Sequence, residues 1–190
     1  MSSTEIAADE NADLLAQISS GDESAFARFY DKFAGPLYSM LMKMLGNAQD
    51  AEEVLQLAFM QVWNRAGTFQ PGRASVFTWL VIITRSKAID RIRHRQRQSR
   101  LIEEATEEMA PEGGELNAEA EKLPTSDQHE IVRNALQQIT EEQRIPIEMA
   151  FFQGMSQTEI ANALSAPLGT IKARIRRGML RLRDSLRGRL

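Results

Sequence analysis

The sequence predicts an all-α protein, with two small helical domains joined by a flexible acidic linker. Three observations predict it. Apolar residues recur at spacings of three and four through most of the chain, and no strand-like alternation interrupts them. That pattern dissolves over 99–127 into Glu, Ala, Pro and Gly, a composition too polar and charged to bury a core. The charge is also sorted, with cations ending each patterned block and acids filling the gap. A chain of 190 residues with 43% hydrophobic content suits one or two domains with modest cores.

Residues 1–10 are acidic and polar, the opposite of a secretory signal, and are expected to be a disordered tail. The first domain is expected over 11–98. Phe26, Phe29, Tyr30, Phe33, Leu37, Leu41 and Leu45 form one helical stripe, with Asp22 as N-cap, Gly46 and Asn47 as terminators and a bend at Gly35-Pro36. A second helix follows from about Ala48 to Ala66, buried along Ala51, Val54, Leu55, Ala58 and Val62. Pro71-Gly72 marks the loop from Gly67 to Ala74. A third helix, from about Ser75 to Arg97, is apolar in its first half and basic in its second.

The second domain is expected over 128–190. Ile131, Ala135, Leu136 and Ile139 make one helical face and the stretch from Ile145 to Phe152 another. Ser156 and Glu159 are spaced as a capping box that opens a short helix. Ser165 to Gly169 is a turn, and Thr170 is the expected cap of a last helix reaching about Leu186. On that helix Ile171, Ile175, Leu182 and Leu186 face inward. Lys172, Arg174, Arg176, Arg177, Arg181 and Arg183 then project outward. A short bracing helix before a helix with a buried back and a basic front is the layout of a helix-turn-helix, shaped for the major groove. An ordinary helical hairpin with a solvated basic face is the plainer alternative.

The net charge of −3 conceals two cationic segments. Arg85, Lys87, Arg91, Arg93, Arg95, Arg97 and Arg100 face Asp90 alone, and eight cations between Lys172 and Arg189 face Asp184 alone. Such sorting points to a polyanion partner. No cysteine occurs, so disulfides, thiolate metal sites and cysteine nucleophiles are excluded. His94 and His129 stand far apart, so neither a metal nor another cofactor is expected. Asp50, Glu52 and Glu53 resemble a catalytic carboxylate cluster only superficially, because acids at a helix start favour its dipole. No phosphate-cradling Gly-x-x-x-x-Gly-Lys occurs, and no enzyme is expected. The apolar run Val76 to Ile83 is too short to span a membrane, which needs about 18–20 residues, and a cytoplasmic location is expected. Phe77, Trp79 and Trp63 read as core, with stacking on an unpaired base as the alternative for Phe77 and Trp79.

The motifs also resemble a known family. Ile160-Ala161 through Leu164, then Pro167-Leu168-Gly169-Thr170-Ile171-Lys172-Ala173-Arg174, is similar to the −35-reading region of extracytoplasmic-function sigma factors. Asp50-Ala51-Glu52-Glu53-Val54-Leu55-Gln56, followed by Phe59 and Val62-Trp63, resembles the family's polymerase-binding helix. Phe77-Thr78-Trp79-Leu80, then Ala88-Ile89-Asp90-Arg91 and Arg93, resembles its −10 melting and reading segment. The chain departs from the family pattern at Leu57, usually acidic, at Ile82, commonly basic, and at Ser86, usually asparagine. It departs again at Ser165, usually glycine, and at Pro146, which interrupts a normally continuous helix.

The resemblance implies that the first domain is sigma region 2 and the second sigma region 4, with no small-molecule substrate. Asp50, Glu53 and Gln56 would bind core RNA polymerase. Thr68, Phe69, Arg73, Ser86, Lys87, Asp90, Arg91 and Arg93 would meet −10 promoter DNA. Gln157, Thr158, Thr170, Lys172, Ala173, Arg174, Arg176 and Arg177 would meet −35 DNA. It also implies an anti-sigma partner, commonly membrane-anchored in the family, and a monomer when free. A stand-alone helix-turn-helix regulator is the rival; it accounts for the second domain and leaves the basic segment 85–97 and the acidic helix 50–56 unexplained.

Overall fold

The computed structural model describes residues 3–105 and 138–186, and every regular element among them is helical. The chain divides into two compact units, Met1–Ala118 and Glu119–Leu190.

In the first unit α1 spans Ser3–Ser19, α2 Glu23–Leu45, α3 Ala48–Arg65 and α4 Val76–Ala105, with one 3-10 turn at Ala66–Thr68. Asp22 caps α2 by accepting the Ala25 N–H at 3.0 Å. Gly46, at φ +64, ends α2 in the left-handed conformation that glycine adopts freely. Asn47 then caps α3 by accepting the Asp50 N–H at 3.0 Å. The helices bury one stripe each against their neighbours: Phe29, Phe33, Leu37 and Leu41 from α2, Ala51, Val54, Ala58 and Val62 from α3, Leu80 and Ile83 from α4. Phe26 and Phe29 both meet Phe59 edge-on, with centroids 6.1 and 6.4 Å away.

Two expectations change here. The tail expected over 1–10 is not a separate segment, because α1 starts at Ser3 and its Leu14, Leu15 and Ile18 are buried. Ala- and Glu-rich sequence has good helix propensity, and those three apolar residues anchor it. Pro36 lies inside an unbroken α2. The third helix also outlasts Arg97 and runs into the segment read as linker, as far as Ala105. The rest of that linker, and the helix expected around Ile131 to Leu136, lie outside the described residues.

In the second unit α5 spans Glu141–Phe152, α6 Gln157–Ala163 and α7 Leu168–Leu186. Ile160, Ala161 and Ile171 are its buried centre, with Met149, Met155, Leu164 and Ile175 packed around them. Pro146 is buried inside α5.

Candidate nucleic-acid interface

Ser75 opens α4: its hydroxyl accepts the Thr78 N–H at 3.1 Å and its carbonyl accepts that of Trp79 at 3.0 Å. The inward stripe then runs Val76, Leu80, Ile83, Thr84 and Ala88. Continuing at helical spacing it reaches Arg91 and Arg95. Their partners stand on α3. Arg91 Nε donates to Asp50 Oδ1 at 2.8 Å and its Nη2 pairs with Glu53. Arg95 Nη1 donates to Asp50 Oδ2 at 3.1 Å and to the Leu45 carbonyl, in the last turn of α2, at 3.2 Å. The Asp50 hydrogen bond, aided by the charges of Asp50 and Glu53, holds the Arg91 pKa above its ordinary value, against a smaller opposing effect of burial.

This network engages two of the expected contact residues within the chain itself. Arg91 is no free cation for DNA, since its guanidinium is committed to two carboxylates. Asp50 is no free anion for a partner protein, since only 15% of its side chain is exposed and both oxygens are engaged. Glu53 is about half exposed and Gln56 is exposed. Beside them α3 exposes Leu57 and Met60, at 43% and 60%. Met60 drew no attention in the sequence because it sits one position from the buried Phe59 and looks like core.

The opposite side of α4 carries Ile82, Ser86, Ile89 and Arg93, whereas the exposed Asp90 and half-buried Lys87 line a shallow depression with Glu53, Val54 and Leu57 of α3. At the head of the helix, Phe69 is half-buried and meets the half-buried Trp79 edge-on at 5.7 Å. Phe77, read as core, is 42% exposed and stacked on Phe33 at 6.2 Å. Trp63 is half-buried against Phe26. Thr68 is exposed, but its hydroxyl donates to the Arg65 carbonyl at 2.8 Å. Arg73 is exposed after Gly72, which takes φ +89 in the turn. Trp79 and Ser86 are two helical turns apart, about 10 Å along α4. A loop with an aromatic edge therefore leads into a helix face on which isoleucines alternate with Ser86 and Arg93.

In the second unit both capping-box bonds form: Glu159 Oε2 accepts the Ser156 N–H at 2.6 Å, and Ser156 Oγ accepts the Glu159 N–H at 3.3 Å. Gln157 and Thr158 stand exposed in the first turn of α6. The turn that follows holds Ser165 at φ +48. The last helix starts earlier than expected, because the Pro167 carbonyl accepts the N–H groups of Thr170 and Ile171 at 2.9 and 3.2 Å. Thr170 is therefore in the first turn and not at the cap. Proline fixes its own φ and supplies that carbonyl, so no hydroxyl cap is required.

α7 seats Ile171 in the core and Gly178 against α5. On its other side Gly169, Lys172, Ala173, Arg176, Arg177 and Leu180 line one shallow, open depression. Lys172, Arg176 and Arg177 are exposed and Ala173 is half-buried. Arg174 turns away from this face: its Nη2 lies 3.2 Å from Glu142 Oε2 on α5. Arg181 likewise donates to Gln143 Oε1 at 3.2 Å. The small Gly169 and Ala173 leave a recess between longer cations, a relief that can admit a groove edge or a base methyl.

Among the described residues, no group of three or more His, Asp or Glu side chains is placed to hold a metal ion. None of the described helices is long and apolar enough to cross a membrane.

Two family descriptions match the chain: Sigma-70 region 2 over residues 29–98 and Sigma-70, region 4 over residues 135–184. The ECF RNA polymerase sigma factor SigK of Mycolicibacterium vanbaalenii is 31% identical over 174 residues, covering 91% of this chain and 87% of that one. Its namesake from Mycobacterium tuberculosis is 30% identical over 179 residues, 91% of each. Among solved structures, Rhodobacter sphaeroides SigE in complex with the anti-sigma ChrR is 31% identical, with a TM-score of 0.44 over 92% of this chain and 96% of that one. RpoE of Bartonella quintana, in complex with the anti-sigma factor NepR, is 22% identical, with a TM-score of 0.40 over 86% and 97%.

Proposed function

This chain belongs to the sigma-70 family, in its extracytoplasmic-function branch, and from that membership we propose how its residues divide the work of transcription initiation. As an RNA polymerase sigma factor it acts by recruiting core polymerase to promoters, and no catalytic role is assigned to its own side chains. The first unit, with a region 2 domain over 11–98, binds core polymerase and the −10 element. The segment after α4 leads to a region 4 domain over 128–190, which reads the −35 element.

The −35 assignment rests on one observation above the others: a cationic stripe with a recess, on a helix whose back is locked into a core. Lys172, Ala173 and Arg176 meet base edges. Arg177, Gln157, Thr158 and the first turn of α7, including Thr170, meet phosphates. Arg174 reaches a phosphate only after leaving Glu142. For the −10 element, Ser86, Lys87, Asp90 and Arg93 on α4 meet the opened strand, and Thr68, Phe69 and Arg73 form the loop beside it. Core polymerase is gripped by Glu53 and Gln56 together with the apolar pair Leu57 and Met60.

An anti-sigma factor that covers one or both DNA-facing surfaces is a further proposed partner, and the cytoplasm is the proposed location because polymerase works there. The test is reconstitution: purified chain and core polymerase, transcribing a library of promoters with randomised −35 and −10 elements. A shared two-element motif among the transcribed templates supports the reading. Transcription that ignores either element refutes its assignment.

A further inference from the structure

The second half of α4 is held in place by ion pairs to the start of α3. Up to Ala88 the helix is fixed by apolar burial against α2 and α3. Beyond Ala88 the inward positions are Arg91 and Arg95, so packing no longer sets the helix's direction. What fixes it there is chiefly Asp50, whose two oxygens take one arginine each, while Glu53 pairs with Arg91 as well. Arg95 also binds the Leu45 carbonyl, so the end of α2, the start of α3 and the second half of α4 meet at the Arg95 guanidinium. Ser86, Asp90 and Arg93 lie within about one and a half turns of Arg91, on other sides of the same helix. Any roll or tilt of α4 beyond Ala88 displaces Asp90 and Arg93.

We propose that Asp50 is a positioning residue for −10 recognition: by clamping Arg91 and Arg95 it sets the angle at which the second half of α4 presents Asp90 and Arg93 to the opened strand. This rests on the reading of α4 as the −10 element's partner. It departs from the expectation that the acidic start of α3 serves core polymerase alone. Its side chain is about half as exposed as those of the two arginines or less, at 15% against 29% and 54%, so its interactions are intramolecular first.

The experiment compares holoenzymes carrying Asp50→Asn, Arg91→Lys, Arg95→Gln, the Asp50→Asn/Arg91→Lys pair, and Ser86→Ala with Arg93→Ala as a control. Three quantities are read for each: affinity for core polymerase, the ratio of transcription on a favoured over a substituted −10 element, and the same ratio for the −35 element. Asp50→Asn is expected to lower the −10 ratio by about fivefold or more, with core affinity and the −35 ratio changed by less than about twofold. The pair should be little worse than Asp50→Asn alone, because partners in one network are not additive. Arg95→Gln, which leaves the Asp50–Arg91 pair intact, should show the same signature more weakly, and it serves if Asp50→Asn fails to fold. Loss of core affinity with an intact −10 ratio would make Asp50 a polymerase contact and overturn the proposal. So would an unchanged −10 ratio in every clamp variant while the Ser86/Arg93 control lowers it. If the control leaves the ratio unchanged, the underlying reading of α4 is what fails.

Discussion

Arg174 on α7 and Glu142 on α5 form an ion pair at 3.2 Å, across the junction between the recognition helix and the helix that supports it. Glu142 is 72% exposed, so the pair contributes little to stability, about 0–1 kcal/mol by the behaviour of surface pairs. Its consequence is for charge presented to DNA. Held on Glu142, Arg174 is partly neutralised when the helix approaches phosphate. Glu142→Ala is therefore expected to raise holoenzyme affinity for all promoters alike and to steepen the salt dependence by about one counterion. Arg174→Ala should do the reverse. Promoter binding measured across a salt series checks both; promoter-selective effects in either variant would show that Arg174 reads bases.

Gly178 sits against Ile147. A β-carbon there would lie 2.6 Å from Ile147 Cδ1 and 3.1 Å from Gln143 Cβ, both on α5. Glycine normally weakens a helix interior, and here its missing side chain lets two helices approach closely. Gly178→Val is expected to destabilise the chain by about 1–3 kcal/mol through overpacking. Thermal or urea unfolding of the full-length variant measures it, and an unchanged midpoint would mean that α5 yields easily.

Ser165 occupies the turn between α6 and α7 at φ +48, where the family resemblance places glycine. A β-carbon in the left-handed region costs about 1–2 kcal/mol, and glycine's extra freedom in the unfolded chain returns about half of that. Ser165→Gly should therefore stabilise the protein by up to about 1 kcal/mol. Chemical denaturation reads this directly. A loss of stability would mean that the serine side chain makes a compensating contact.

What was legible in the sequence was mostly local. Asp22 and the Ser156/Glu159 box are signalled by local residue type and spacing, and both form; Asn47, read as a terminator of α2, also caps α3. The stripe Ala51, Val54, Leu55, Ala58 and Val62 was readable because burial follows helical period. The helix-turn-helix was readable for the same reason, although its second helix opens on a proline carbonyl and not on the threonine that looked like a cap. Long-range pairing was much less legible. Arg91, Arg93, Arg95 and Arg97 look alike in the sequence, yet Arg91 and Arg95 answer Asp50, which lies 41 and 45 positions away. Extending the stripe from Thr84 and Ala88 would have pointed those two inward, but a polar continuation carries no hydrophobic signal. Arg174 and Arg181 escaped for the same reason, each held by an α5 residue whose register the sequence does not display.

The −35 reader itself gives the sharpest expectation. Lys172 and Arg176 are four apart on α7, one turn along the same exposed row, with Ala173 recessed beside them. Residues near the start of a recognition helix come closest to the base edges, and α7 starts at Leu168, so Lys172 lies in its second turn and Arg176 in its third. Arg176 carries no ion pair to α5 comparable to that of Arg174, so its planar fork can reach the two acceptors of guanine. Arg176→Ala should cost about 1–3 kcal/mol and relax preference at one −35 position, while promoters already lacking that base lose little. Lys172→Ala should weaken binding with a smaller change in preference, because an ammonium can serve either a base acceptor or a phosphate. Both variants are measured as holoenzyme on a panel of single-base −35 changes. If Arg176→Ala scales every promoter down alike, Arg176 is a phosphate contact and the base-reading role moves to Lys172 and the Ala173 recess.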